Sequence, residues 1–299
     1  SWDLIIQRAG NNMFLDIREG SAVYDTTVNE TAQDAPDDDQ KDSLPINAMT
    51  ALTTEAGYIN YCYLQQCLDR SQFPQSQQSG DKGLAESWAQ GINEDNGPPA
   101  GRAYRYRKFE LTEELNMVVR CEIDAKLEDK EGSTKYVTVK AMNEFDSKIS
   151  GVDWRQKLES QRAAVLANEL KNNRNKLARW TCQALLAGVD YLKMGYVSRV
   201  HVNNNNNHVV LLSQMYKPEE FAKQIDLKME NMWGIVRTVM MRLMQLPVDE
   251  NPICKYLMLK DPNKPVVNLF KVPADAFDYE VEDEDGDAVQ EDDNDSDFD

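Results

Sequence analysis

The stretch between residues 102 and 214 alternates between strand-like and helix-like hydrophobic patterns, and this alternation limits the possible folds more than any other feature. Apolar residues at every second position indicate strands, whereas apolar residues three and four positions apart indicate helices. Short polar links between the first three strands predict an antiparallel meander. The predicted strands are 102–110, 115–124, 134–143, 191–202 and 208–214, with helices at 153–172 and 174–187.

Further elements are predicted on both sides of this stretch. The run Asn203–Asn207 suits a hairpin loop, because asparagine tolerates left-handed backbone, and Gly188 is expected to end a helix. The helix at 230–246 is mostly apolar, so we expect it to be buried. The fold class is therefore α/β (α+β), with mixed, largely antiparallel sheets and flanking helices. The additional elements are strands 2–8, 12–17, 254–260 and 265–270, and helices 48–69 and 218–227.

Two polar segments and an acidic end interrupt these elements. Residues 20–46 and 71–100 are predicted to be long exposed loops. Residues 273–299 contain 14 acids and no Lys or Arg, a composition that predicts a disordered tail. We expect one domain over 1–272, followed by that tail. The chain has no initiator Met and no signal peptide, so we expect a piece of a longer protein in which the N-terminal part of the domain is missing.

The net charge of −18 comes mostly from the tail, because the rest of the chain has 37 acids and 33 bases. Gly151–His201 has nine bases and four acids. This basic block favours a polyanion partner, although helix surfaces rich in Lys and Arg give the same pattern. No apolar run is long enough to span a membrane.

Cysteine and histidine usage excludes several classes of site. Five cysteines without a CxxC pair predict reduced thiols in a cytosolic or nuclear protein, and neither a disulfide framework nor a zinc site. Of these two locations, we expect the cytoplasm. The two histidines, His201 and His208, are too few for a His-rich metal site or a His-dependent triad. Because phosphate loops and dinucleotide fingerprints are also missing, no cofactor is expected.

The strongest chemical motif is Glu122-Ile123-Asp124. Alternate residues of a strand face the same side, so both carboxylates can reach one site, and their oxygens suit Mg²⁺. On a neighbouring strand Thr138 and Lys140 also share a face, which approaches the layout of metal-dependent nucleases, where Lys steadies a phosphate. A solvated strand end is the alternative interpretation.

Two other segments have a functional and a structural interpretation. Tyr104 and Tyr106 alternate with Arg105 and Arg107, so one face is aromatic and the other cationic. This arrangement suits RNA stacking and phosphate contact, and it equally suits a half-buried strand. On the helix at 174–187, Trp180 is expected in the core. Its neighbour Gln183 could bind a nucleotide or merely support packing.

The string Gly151–Arg162 (GVDWRQKLESQR) resembles the family of the d-type subunit of eukaryotic translation initiation factor 3. The resemblance implies an α/β fold related to decapping exoribonucleases, used to bind the mRNA five-prime cap rather than to hydrolyse it. It also implies assembly into a multisubunit initiation complex on the small ribosomal subunit. The similarity continues through 103–107, 169–173, 177–188, 192–202, 256–264 and the acidic tail.

The resemblance also implies that a nuclease site has been lost. The nuclease relatives have Glu at the positions of Leu64 and Thr138, while their remaining pattern matches Glu122, Asp124, Lys140 and Gln183. Two of four metal-binding carboxylates would be missing, which should weaken Mg²⁺ binding severely. The resemblance therefore implies an inactive nuclease-like scaffold.

Cap recognition in the family uses a helix that here reads Gly57-Tyr58-Ile59-Asn60-Tyr61. Asn60 matches the family pattern, and Tyr61 stands where the family has His, so it could replace that His as an aromatic partner for a methylated guanine. Gly57 supplies no side chain. The resemblance further implies a cap-contacting helix before Trp2, and a gate over the RNA site at the acidic loop 20–46.

Three functions remain open: a cap-binding translation subunit, a metal-dependent decapping enzyme or exonuclease, and a purely structural subunit. The first is the one we expect. Its partners would be the 7-methylguanosine cap, the other subunits of initiation factor 3 and the small ribosomal subunit, with no membrane, metal or catalytic residue. The expected cap and RNA contacts are Asn60, Tyr61, Gly57, Glu122, Asp124, Lys140, Gln183, Arg105 and Arg107.

Overall fold

The computed structural model describes residues 2–18, 46–69, 103–128, 132–246, 253–261 and 264–277. The loops expected at 20–46 and 71–100 and nearly all of the expected tail lie outside these ranges. The chain divides into two compact units, Ser1–Val23 with Leu246–Asp299, and Tyr24–Gln245.

The described residues form ten strands and six helices, close to the predicted set. The strands are β1 (Trp2–Ala9), β2 (Asn12–Asp16), β3 (Ala103–Glu110), β4 (Asn116–Ile123), β5 (Ala125–Glu128), β6 (Thr134–Glu144), β7 (Tyr191–Arg199), β8 (His208–Tyr216), β9 (Ile253–Lys260) and β10 (Val267–Val272). The helices are α1 (Met49–Cys67), α2 (Ser147–Ser150), α3 (Trp154–Lys157), α4 (Arg162–Ala187), α5 (Pro218–Gln224) and α6 (Met229–Met244).

The smaller unit is an antiparallel sheet with the strand order β10-β9-β1-β2. Gly10 lies in the turn between β1 and β2 with a φ of 59°, a conformation that glycine adopts without steric cost. Ile6 of β1 is completely buried. The buried Asp3 carboxylate accepts a hydrogen bond from Arg18 Nε at 2.7 Å, so this charge is paired within the smaller unit.

The larger unit contains a second sheet in the order β5-β6-β7-β8, in which β6 and β7 are parallel. The predicted antiparallel meander is wrong, because β3 and β4 form a separate hairpin and β6 pairs with β5 and β7. After β4 the chain bends at Asp124, whose carboxylate binds a backbone amide of β6. At this edge of β6, the Asp124 side chain therefore accepts the backbone hydrogen bond that a neighbouring strand would otherwise accept.

Helices cover both faces of β6. Successive residues of a strand point to opposite faces, so consecutive residues of β6 are buried. On one face Ile59 and Tyr63 of α1 pack against Val137, Val139 and Ala141. On the other face Met142 belongs to a core cluster that includes residues of α4. Trp180 lies in that cluster, as the sequence predicts.

The helices predicted at 153–172 and 174–187 form one bent helix after a short first turn. Asp153 accepts a hydrogen bond from the Gln156 amide and so begins α3. Helix α4 starts only at Arg162, and it is interrupted at Asn173, where φ is −135° and ψ is 35°. Gly188 ends α4 with a φ of 61°, which confirms the predicted stop.

A buried acid and base lie beside the bend in α4. Glu169 and Lys176 are both buried, and Asn173 donates a hydrogen bond to Glu169 Oε2 at 2.9 Å. Burial raises the pKa of Glu169 to about 7, against the opposing charge of Lys176. Burial likewise lowers the pKa of Lys176, against the opposing charge of Glu169.

This pair predicts a pH-dependent stability. A carboxyl group whose pKa rises on folding binds its proton more tightly in the folded state, so its stabilising contribution is complete below pH 4.5 and is lost as the pH rises through 7. We expect Glu169→Gln to remove about 3 kcal/mol of this pH dependence between pH 4.5 and 7. Urea unfolding across that range measures it, with the exposed Glu159→Gln as the matched control. Equal slopes in the wild type and Glu169→Gln would contradict the assignment.

Helix α6 is less buried than its composition predicts. Only Met240 and Leu243 are buried, and Ile235 is 58% exposed. The expectation of a buried helix is wrong because a single stripe of α6 faces the rest of the unit. Trp233 on that stripe lies 5.0 Å from Phe109 of β3, measured between ring centres.

The basic block presents fewer charges at the surface than the sequence suggests. Two of its nine bases, Lys176 and Arg199, are buried and serve internal contacts. All five cysteines are free thiols, as expected. Among the described helices, none has the length and apolar character needed to cross a membrane.

Candidate functional site

Asp124 closes the edge of β6 at the point where β5 begins. Its Oδ2 atom accepts a hydrogen bond from the Val139 amide at 2.8 Å and lies 3.3 Å from Lys140 Nζ. The side chains of Asp124 and Lys140 are 11% and 23% exposed. The carboxylate is thus paired with one cation and one backbone donor, which satisfies much of its charge.

Asn60 of α1 closes the same edge two residues further along. The Ala141 amide donates to Asn60 Oδ1 at 2.9 Å, and Asn60 Nδ2 donates back to the Ala141 carbonyl at 3.2 Å. One amide side chain therefore pairs both backbone groups of Ala141, as a neighbouring strand would do. The structure brings Asn60, Asp124 and Lys140 together along this edge.

Helix α1 exposes aromatic residues next to Asn60. Tyr58 and Tyr61 are three residues apart, so they are neighbours on one side of the helix, and their side chains are 58% and 45% exposed. Gly57 is also exposed, and a Cβ atom added there would meet nothing within 4 Å. This part of α1 offers two rings and open space to a flat ligand.

The two positions that would carry acids in a nuclease are occupied by residues with structural roles. Leu64 packs against the core cluster between α1 and β6, and Thr138 is 4% exposed. In the described ranges, no three His, Cys, Asp or Glu residues come close enough to hold a metal ion. Because Mg²⁺ requires several oxygen ligands, the described residues offer it no ready site.

The other expected contacts include Glu122 and Gln183. Glu122 is exposed on β4, two residues before Asp124, and Gln183 is exposed on α4. Within the part of the chain that the structure describes, Gln183 makes no hydrogen bond to Asn60, Asp124 or Lys140. Glu122 remains a candidate because it lies two residues before Asp124, and Gln183 remains one through the family resemblance alone.

Arg105 and Arg107 hold the end of α4. Arg105 Nη1 donates to the carbonyls of Ala187 and Gly188, each at 3.0 Å. Arg107 Nη1 donates to Leu185 at 3.1 Å and to Leu186 at 2.9 Å. Cations stabilise a helix C-terminus through its unpaired carbonyls and dipole, so the cationic face of β3 serves α4, and the strand is half-buried with its tyrosine face outward.

A buried ionic network below α1 was missed by sequence reasoning. Arg199 on β7 binds Glu55 through two hydrogen bonds of 2.8 and 2.6 Å, and His208 Nε2 lies 2.7 Å from Glu55 Oε1. Burial alone would raise the pKa of Glu55, but the bonds from Arg199 and His208 outweigh it and lower this pKa. Glu55 is the only charged residue in the sequence of α1, and a lone acid in such a helix could have signalled a buried partner.

Close packing fixes the same helix further along. The Tyr63 hydroxyl and Ser213 Oγ are 2.7 Å apart. A Cβ atom at Gly195 of β7 would lie 2.7 Å from the Tyr63 ring, so the ring rests directly on the glycine backbone. Contacts on both sides of Asn60 therefore set the position of the exposed tyrosines.

The chain is similar to curated relatives over nearly its whole length. It is 45% identical over 293 residues to the D subunit of eukaryotic translation initiation factor 3 from Aedes aegypti, covering 96% of this chain and 44% of that protein. The same subunit from Xenopus tropicalis is 46% identical over 282 residues, and that from Homo sapiens 44%; each match covers 93% of this chain and 48% of the relative. The chain thus spans about half the length of these relatives.

Solved structures share the fold at low sequence identity. Rai1 of Scheffersomyces stipitis, in complex with (3'-NADP)+ and calcium ion, superposes with a TM-score of 0.54 at 14% identity, covering 92% of this chain and 62% of that one. Rai1 of Candida albicans, in complex with pU5-Mn2+, gives 0.52 at 15% identity, covering 92% and 65%. These neighbours confirm the decapping-exoribonuclease-like fold that the resemblance implies.

A family model identifies the chain more directly than the fold does. The model described as eukaryotic translation initiation factor 3 subunit 7 (eIF-3) matches residues 1–271. With the initiation-factor relatives at about 45% identity, this match shows that the chain belongs to that family of translation initiation factor subunits.

Proposed function

We propose that this chain binds the mRNA five-prime cap as part of translation initiation factor 3, on a nuclease-like scaffold that does not cut RNA. The main support for a scaffold that does not cut RNA comes from the edge of β6, where Asp124 is bound to Lys140 and to the Val139 amide. A carboxylate used in this way is a weaker metal ligand, since its Oδ2 atom already accepts from a backbone amide and is paired with a cation. The neighbouring α1 meanwhile exposes two aromatic rings suited to a base.

The chemistry of the cap fits this surface. A guanine methylated at its five-membered ring carries a positive charge, which is attracted to the face of an aromatic ring. Tyr61 and Tyr58 supply such faces, and the absence of a side chain at Gly57 leaves space for the base. Lys140, partly exposed beside Asp124, supplies a positive charge for the cap phosphates. Glu122 and Gln183 are proposed as further polar contacts.

Family membership supports the wider role. The relatives are named as subunits of initiation factor 3, so we propose that this chain works in cap-dependent translation initiation in the cytoplasm, within a multisubunit complex on the small ribosomal subunit. The one-domain arrangement over 1–272, with an acidic tail at 273–299, is part of the same proposal. A purely structural subunit would have the same fold without affinity for the cap.

A titration with 7-methylguanosine triphosphate tests the cap proposal. Tyr61→Ala should weaken binding about 10- to 30-fold, because a desolvated cation–π contact contributes about 2 kcal/mol. Tyr61→Phe should bind like the wild type, since it keeps the ring. Phe270→Ala is the matched control, because Phe270 is a similarly exposed aromatic residue in the other compact unit.

The same titration separates the alternatives. Equal affinity for methylated and unmethylated guanosine triphosphate, unchanged by Tyr61→Ala, would contradict cap binding and favour a purely structural subunit. The titration is repeated with and without Mg²⁺, and we expect no difference. Metal-dependent release of nucleotides from capped or uncapped RNA, abolished by Asp124→Asn, would show instead that the chain is a working nuclease.

A further inference from the structure

The outer face of the β3–β4 hairpin carries two exposed tyrosines. Tyr104 and Tyr106 lie two residues apart on β3, so their rings project from the same side of the strand. They are 48% and 67% exposed. The alternate residues Arg105 and Arg107 face α4 and bind its carbonyls, which leaves the aromatic side to face the solvent.

Basic groups share this face with the rings. Arg120 pairs in register with Tyr106 across the hairpin, and its guanidinium carbon lies 5.1 Å from the centre of the Tyr104 ring. Lys108 is the next residue on the tyrosine side of β3 and is also exposed. We define the hairpin face as Tyr104, Tyr106, Lys108 and Arg120.

We propose that the hairpin face binds the single-stranded part of an RNA, with bases stacked on Tyr104 and Tyr106 and phosphates contacted by Lys108 and Arg120. Aromatic platforms combined with cations are the common means of binding single strands without sequence preference. The two tyrosines are about 7 Å apart along the strand, roughly twice the rise of about 3.4 Å between stacked bases. Neighbouring bases must therefore be spread apart, which a single strand permits and a duplex does not.

The position of the face favours RNA over a protein partner. Tyr104 pairs in register with Glu122, two residues before Asp124, so the hairpin face starts beside the candidate cap site. Two acids share this side at opposite ends of the hairpin: Glu122 lies across from Tyr104, and Glu110 Oε1 lies 3.8 Å from Lys108 Nζ in an exposed pair that water screens. Tyr106 and Arg120 occupy the part between them. This inference rests on the proposed function for its context, because a cap held near Asp124 must be followed by a strand that leaves the site.

Binding of an uncapped oligouridine of about 12 nucleotides, long enough to cover a single-strand site, tests the hairpin face separately from the cap. Tyr104→Ala combined with Tyr106→Ala should weaken oligouridine binding by about tenfold or more, because each stacked base contributes measurably to affinity. Tyr104→Phe with Tyr106→Phe should retain the affinity, since it keeps both rings. Affinity should also fall with rising salt, and less steeply in Lys108→Gln with Arg120→Gln, because fewer counterions are released.

The readouts distinguish this inference from the proposed function. Binding of 7-methylguanosine triphosphate should be the same in the double alanine variant and the wild type, and equal thermal unfolding midpoints show that the variant folds. Unchanged oligouridine affinity in the double alanine variant overturns the inference whatever the cap titration gives. Loss of assembly with the other subunits, with oligouridine binding unchanged, would assign the face to a protein partner and also overturn it.

Discussion

Arg199→Ala is expected to lower the free energy of unfolding by about 3–5 kcal/mol, because it leaves the Glu55 carboxylate buried without its main partner. Both side chains are 1% exposed, and they are joined by two hydrogen bonds. Arg199 also donates to Asn47 Oδ1 and to the Val202 carbonyl, each at 2.8 Å. One substitution therefore disconnects the start of α1 from the end of β7.

Urea unfolding of three variants separates the lost charge pair from lost packing. Glu55→Gln with Arg199→Met removes both charges and keeps most of the volume, so it should cost less than Arg199→Ala alone. Arg162→Ala is the matched control, because Arg162 is exposed and its guanidinium donates to the Gln214 side chain at the protein surface. If the double variant were as unstable as Arg199→Ala, an uncompensated charge would not be the cause.

Gly195→Ala is expected to cost about 1–3 kcal/mol of stability, because an added methyl group overpacks a filled core. The new Cβ atom would lie 2.7 Å from the Tyr63 ring, and Tyr63 is itself 4% exposed. Either the ring or the whole helix must move, and α1 carries the exposed Tyr58 and Tyr61. Affinity for the cap analogue should therefore fall together with stability.

A double-mutant cycle identifies the ring as the cause. If the clash with Tyr63 accounts for the cost, Gly195→Ala should add little to a protein that already carries Tyr63→Ala. Gly57→Ala serves as the control for stability, since a Cβ atom at that exposed helical position meets nothing within 4 Å. Costs that simply add in the cycle would show that the strand backbone, not the ring, resists the methyl group.

Local patterns predict most of the elements but not how the strands associate. The hydrophobic period, Gly188 and the asparagine run predict helices and a hairpin, because those signals act over a few residues. Where β3–β4 separates from β6, Asp124 accepts a hydrogen bond from Val139, a residue 15 positions away. Such pairings leave no periodic trace, and the predicted meander failed for that reason. The prediction that α6 is buried was wrong, because composition does not show which side of a helix meets the core.

The sequence names candidate members of the site, and their role as ligand contacts stays a prediction, whereas the arrangement of these residues could not be predicted. The family resemblance selected Asn60, whereas strand spacing and then the resemblance selected Asp124 and Lys140. The structure places these three along one edge. Their present roles, as partners of backbone groups and of each other, could not be read from residue type, since amides and carboxylates serve ligands and backbone equally well. Arg105 and Arg107 were expected to contact RNA, but they bind carbonyls at the end of α4. An alternating aromatic and basic strand does not reveal which of its sides faces a helix.

The edge of β6 has a consequence for the behaviour of the protein in solution. Unpaired amides and carbonyls on a strand edge are a template for an extended segment of another molecule, and proteins commonly block such edges. Here Asp124 covers the Val139 amide, and Asn60 covers the amide and carbonyl of Ala141. Variants that remove either side chain to study ligand binding also open this edge to self-association, so light scattering belongs beside every affinity measured on them.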